Sequence, residues 1–112
     1  GGMTRAALPN ARSNVTRTVH WEGHEFTVTI GLDPVTWQPA EVFADTAKGG
    51  QMHVTIADAC VWASIAMQHG VTPADLAKSL GEVPVPGAPK GTTGPASPLG
   101  AIVAAIMAEV RP

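Results

Sequence analysis

The sequence predicts an α+β fold: a three-stranded antiparallel meander, built from a β-hairpin plus a third strand, followed by three helices packed on one face. Two observations point to it. Between residues 15 and 47 apolar and polar side chains alternate around short turn signals, the period of half-buried strands. Beyond residue 55 the period lengthens to that of helices, and each helical run opens on a Thr or Ser suited to capping. At 112 residues the chain can bury one core and is too short for a catalytic barrel plus a cofactor domain.

Gly1-Gly2-Met3 reads as a cleavage remnant ahead of an initiator methionine, and Thr4 to Asn14 as an extended arm. Residues 1–14 are therefore set apart from a single α+β domain over 15–112. A two-residue turn at Glu22-Gly23 pairs Trp21 with His24, and so places Val19 opposite Phe26, Arg17 opposite Val28 and Val15 opposite Ile30 on one face. The other face carries Thr16, Thr18 and His20 against Thr29, Thr27 and Glu25, the polar β-branched lining of a solvated sheet surface. A slip of one residue exposes the whole apolar set, so the register is self-specified. Leu32-Asp33-Pro34-Val35-Thr36 supplies turn chemistry, and Pro39 to Ala47 alternates Glu41, Phe43 and Asp45 against Ala40, Val42 and Ala44 as the third strand.

Thr55-Ile56-Ala57-Asp58 has capping-box spacing with Asp in place of Glu, and the apolar run through Met67 ends at Gln68-His69-Gly70. This first helix is nearly apolar all round, which predicts a central buried helix, and Ala57, Ala59, Ala63 and Ala66 permit close approach to the sheet or to a second chain. Thr72-Pro73-Ala74-Asp75 starts a short second helix closed by Gly81. Residues 82–96 are rich in Pro and Gly and read as a surface loop without elements. Ser97-Pro98 opens the last helix, whose Leu99, Ile102, Val103, Ile106 and Val110 form one apolar stripe.

A formal charge of −2 gives no global basic field, although Arg5, Arg12 and Arg17 make the arm locally positive, so nucleic acid is disfavoured as a partner. Trp21, Trp37 and Trp62 are too dispersed to form a stacking platform for bases. The longest apolar stretch, Ile56 to Met67, falls short of the roughly 20 residues a membrane span needs. No leader opens the chain, and a soluble cytoplasmic protein without a membrane partner is expected. A lone cysteine, Cys60, excludes an internal disulfide and a cysteine-built zinc site, in keeping with a reducing compartment.

Four features invite chemistry. Cys60 could be a nucleophile, but inside the most apolar helix a thiol is a small hydrophobe with a raised pKa, and the core role is preferred. His20, Glu22, His24 and Glu25 cluster at the hairpin tip, where a metal-dependent enzyme could use them. The register sets His20 and His24 on opposite faces, so a solvated turn without metal is expected. Lys48, Gly49 and Gly50, followed by the capping Thr55, form the best anion-binding candidate, since glycine-rich backbone before a helix start can cradle a phosphate or nucleotide. An ordinary strand-to-helix turn is the alternative. The apolar first helix and the last helix with Ala101, Ala104, Ala105 and Ala108 could serve the core or a homo-oligomer interface.

The order of several signals resembles a known family. Leu8-Pro9-Asn10-x-Arg12, the turn at Gly23-His24, Glu41-Val42-Phe43, Asp45, Lys48-x-Gly50, Ser64, Gln68-His69-Gly70-Val71 and Ser97-Pro98-Leu99 resemble the segment that follows the catalytic barrel in adenosylcobalamin-dependent (class II) ribonucleotide reductases. The arrangement is similar to the TSCPD domain family and extends from Leu8 to about Val110. Ribonucleotide reduction in that family needs a thiyl-radical cysteine, a pair of reducing cysteines and a carboxylate in the barrel, which a chain with one cysteine and no barrel cannot supply. It has no literal Thr-Ser-Cys-Pro-Asp string and no cysteine-rich tail for a redox relay. The resemblance therefore implies a non-catalytic accessory or interaction module in deoxyribonucleotide metabolism. Its expected partner is a reductase chain or another protein, with no cofactor of its own. Arg12, Arg17, Glu41, Gln68 and His69 are the candidates for contact with such a partner. The alternatives are a small regulator that binds a nucleotide or other anion, and a metal-dependent enzyme at the hairpin tip.

Overall fold

The computed structural model describes residues 13–46 and 50–112. Strands β1 (Asn14–Trp21), β2 (His24–Leu32) and β3 (Pro39–Asp45) form an antiparallel sheet in the order β1-β2-β3. Helices α1 (Gln51–Gln68) and α2 (Pro73–Lys78) follow, then a small ribbon of β4 (Glu82–Pro84) and β5 (Thr93–Pro95), and finally α3 (Pro98–Met107). The α+β meander with three helices is the predicted fold.

The hairpin has the predicted register throughout, from Asn14 opposite Gly31 to Trp21 opposite His24. Its two loop residues both occupy the left-handed region, Glu22 at φ 44° and Gly23 at φ 79°, as a type I′ turn requires for strands of right-handed twist. Asp33 organises the second turn, its Oδ1 accepting the amides of Val35 at 2.8 Å and Thr36 at 3.0 Å. The third strand ends at Asp45, two residues before the predicted Ala47, which lies outside the described residues.

Phe26, Val28, Ile30 and Val42 point from the sheet into a core completed by Ile56, Cys60, Ala63 and Met67 of α1 and by Ala101, Ile102, Val103 and Ile106 of α3. Each large side chain buried there contributes on the order of 2 kcal/mol. α1 and α3 cover the sheet and α2 rests on α3. The end of α3 is tied back by Arg17, whose Nε and Nη2 donate to Glu109 Oε1 at 3.0 and 2.7 Å, and by Gln38, which exchanges hydrogen bonds with the backbone of Arg111.

Three expectations need correction. α1 begins at Gln51 on an N-cap Gly50, not at Thr55, because the positive φ of 114° at Gly50 admits the turn and residues 51–54 contain no helix breaker. α1 is also not a centrally buried helix. Ile56, Cys60, Ala63, Ser64 and Met67 are buried, whereas Val54, Val61 and Trp62 are at least half exposed. Residues 82–96 are not free of elements, since Glu82, Val83 and Pro84 pair antiparallel with Pro95, Gly94 and Thr93. Both prolines stand at strand ends, where a missing amide costs little. The caps of α2 and α3 are as predicted: Thr72 Oγ1 accepts from Asp75 N at 3.1 Å and Ser97 Oγ from Gly100 N at 3.1 Å. Val110 falls beyond α3 and is exposed.

The outer edge of β3 is closed by side chains. Ser64 Oγ accepts the Val42 amide at 2.9 Å and lies within hydrogen-bonding distance of the Val42 and Cys60 carbonyls, at 3.2 and 2.8 Å. Gln68 Nε2 donates to Ala40 O at 2.9 Å. Residues 40 and 42 direct their backbone groups away from β2, and α1 satisfies them as a neighbouring strand otherwise would.

Two stability changes follow. Ser64→Ala leaves the Val42 amide buried without this acceptor and should lower the unfolding free energy by about 1–3 kcal/mol in urea titrations, and an unchanged midpoint contradicts the edge closure. Glu22→Asn places a residue at ease with positive φ in the type I′ turn and should raise stability by about 1 kcal/mol, whereas a loss contradicts the turn assignment.

Candidate functional site

The polar residues of the hairpin tip divide between the two faces of the sheet. His20 pairs with Glu25, Nε2 standing 3.8 Å from Oε1, beyond hydrogen-bond distance. His24 pairs with Trp21 on the other face and stacks on its ring at a centroid distance of 6.3 Å. A second imidazole and carboxylate, His53 Nδ1 and Asp45 Oδ1, also stand 3.8 Å apart. Among the described residues no three His, Cys, Asp or Glu side chains converge on a point where a metal could sit.

At the start of α1 the anion-binding candidates come apart. Gly50 is the N-cap, its carbonyl accepting the Val54 amide at 3.2 Å, and no side chain caps the helix there. Thr55 is an exposed residue inside the helix instead of its cap. Lys48 and Gly49 lie outside the described residues, as does Arg12 of the interaction candidates. Of the remaining interaction candidates, Arg17 is engaged with Glu109 and Gln68 with Ala40. Glu41 is buried on β3, beside a cleft of about 220 Å3 that Phe43, Ala57, Cys60 and Ser64 also line. His69 is exposed at the C-cap of α1, its amide closing the last turn onto Ile65 and Ala66.

Cys60 lies 2% exposed within the core. Burial pushes its thiol up from 9.0 to about 11, because an ionised sulfur there would be cut off from water. A protonated, enclosed thiol is a poor nucleophile.

Sequence reasoning missed a groove of about 440 Å3 between α1, α2 and α3. Ala59, Ala63 and Ala66 form one wall, Leu76 and Leu80 a second, and Leu99 and Val103 the floor, with Ser79 its one polar lining residue. Trp62 stands at the rim with 76% of its surface exposed. The signal lay in the spacing of the α1 alanines, which allow close approach by a neighbour without saying which one.

Thiol labelling tests the enclosure of Cys60. At neutral pH the native chain should react far more slowly than the unfolded chain, and rapid modification contradicts the burial. Because the thiol pKa is raised on folding, its contribution to stability is complete below about pH 9 and is lost as pH climbs toward about 11. A stability profile that rises over that window contradicts the assignment.

The TSCPD domain family matches residues 4–110, and that domain is found in class II ribonucleotide reductases. No curated protein and no solved structure matches the chain significantly. The matched span contains every described strand and helix, with the Ser64 contact to β3 and the Ser97 cap of α3, and the chain belongs to the TSCPD domain family.

Proposed function

We propose that this chain is a non-catalytic accessory module of class II ribonucleotide reduction that acts in the cytoplasm by binding a reductase chain. The observation that supports it most is the family match over residues 4–110, since the domain occurs within those reductases. The chemistry of the chain is in keeping with it. Radical reduction of a ribonucleotide runs on reactive thiols, and the single thiol here is enclosed and held protonated. In each imidazole–carboxylate pair the two groups stand 3.8 Å apart, and although Glu25 and Asp45 line one pocket with Thr27 and Thr46, neither pair is joined by the hydrogen bond that an acid–base relay needs. No described helix is long and apolar enough to cross a membrane, which suits a partner reached from solution.

Titration calorimetry with a purified class II reductase chain, trimmed of its own TSCPD segment, tests the proposal. A saturable complex, together with no ribonucleotide turnover by the isolated module, is the expected result. Absence of heat at high micromolar concentrations, or turnover by the module alone, overturns it.

A further inference from the structure

Ala59, Trp62 and Ala66 follow one another at helical spacing on the solvent side of α1, so a large aromatic projection lies directly beside a recess of small side chains. We propose that this face is a self-complementary interface. In it α1 packs antiparallel against α1 of a second copy, and each Trp62 enters the other chain's groove.

Shape and chemistry favour a second copy as the occupant, and the area sets the strength of the contact. A two-fold contact requires one patch to carry both the projecting group and its receptacle, and the α1 face carries both. The groove is lined by Ala, Leu and Val with Ser79 as its polar exception, so it suits an uncharged apolar guest, which an indole supplies. Asp58 is the one Asp, Glu, Lys or Arg residue in the 18 residues of α1, and being exposed it can remain at the wet rim of such a pair. A helix of 18 residues is about 27 Å long and about 10 Å wide, and the six residues of α2 across the groove widen the face to about 20 Å over only about 9 Å of that length. The contact is then roughly 400 Å2 per copy and about 800 Å2 in total, the size of a small transient interface, which suits a reversible dimer weaker than micromolar.

Sedimentation velocity of the full chain, from micromolar to near-millimolar concentration, tests the proposal. A concentration-dependent dimer is expected, weakened roughly a hundredfold or more by Trp62→Ala and similarly by Ser79→Arg, which projects a charge over the groove. Both positions are exposed, so circular dichroism and melting should show both variants folded, and Val35→Ala, an exposed change in the β2–β3 turn, should leave the dimer intact. A monomer at every concentration overturns the proposal, and so does a dimer that either groove variant leaves at full strength. A monomer whose groove instead takes up a reductase chain or a small apolar dye, with uptake lost in Trp62→Ala, assigns the groove to that guest and overturns it equally.

Discussion

The architecture depends on how the free edge of β3 is closed. A strand at the end of a sheet presents amides and carbonyls that must find partners, and here the partners are side chains of a helix. Ser64 and Gln68 are four residues apart, on one line along α1, so their bonds to Val42 and Ala40 set both the direction of the helix and its rotation about its own axis. Cys60 extends the same line inward, and its carbonyl lies 2.8 Å from Ser64 Oγ. Trp62, two residues from Cys60, stands about 200° away around the helix and is carried to the solvent side. The enclosure of the thiol and the exposure of the indole are thus two results of one constraint.

That constraint shapes what the chain can do. Its thiol is placed at the back of a small cleft with 2% of the residue exposed, and its largest exposed aromatic is placed where another molecule can reach it. The polar side chains with the strongest geometry are spent on tying elements together: Arg17 holds the end of α3 to β1, and Gln38 holds the backbone of Arg111.

Legibility in the sequence followed the range of the interactions concerned. The hairpin could be read residue by residue, because a two-residue loop and a period of two leave one register that buries Phe26, Val28 and Ile30. Thr72 and Ser97 were legible as caps for the same reason, each bonding an amide three residues on. The start of α1 was not, since Thr55 offers a local capping pattern and the competing signal at Gly50 is a backbone angle. Pairing of β4 with β5 joins three-residue segments across a Pro- and Gly-rich loop whose composition conceals it. The roles of Arg17 and Gln68 were hidden for a related reason: their partners stand 92 and 28 residues away. The groove was least visible, because composition cannot separate a helix buried on all sides from one buried on a single flank.

Native-state hydrogen exchange of the sheet amides tests the edge closure most directly. In the hairpin register the even-numbered residues of β1 direct their amides away from β2, as Val42 of β3 does. If Ser64 closes the edge, the Val42 amide should exchange only near the free energy of global unfolding, while the Thr16 and Thr18 amides, on the edge of β1 that no other described strand pairs, exchange orders of magnitude faster. A Val42 amide that exchanges as fast as those of Thr16 and Thr18 would contradict the closure and remove the reason why α1 faces as it does.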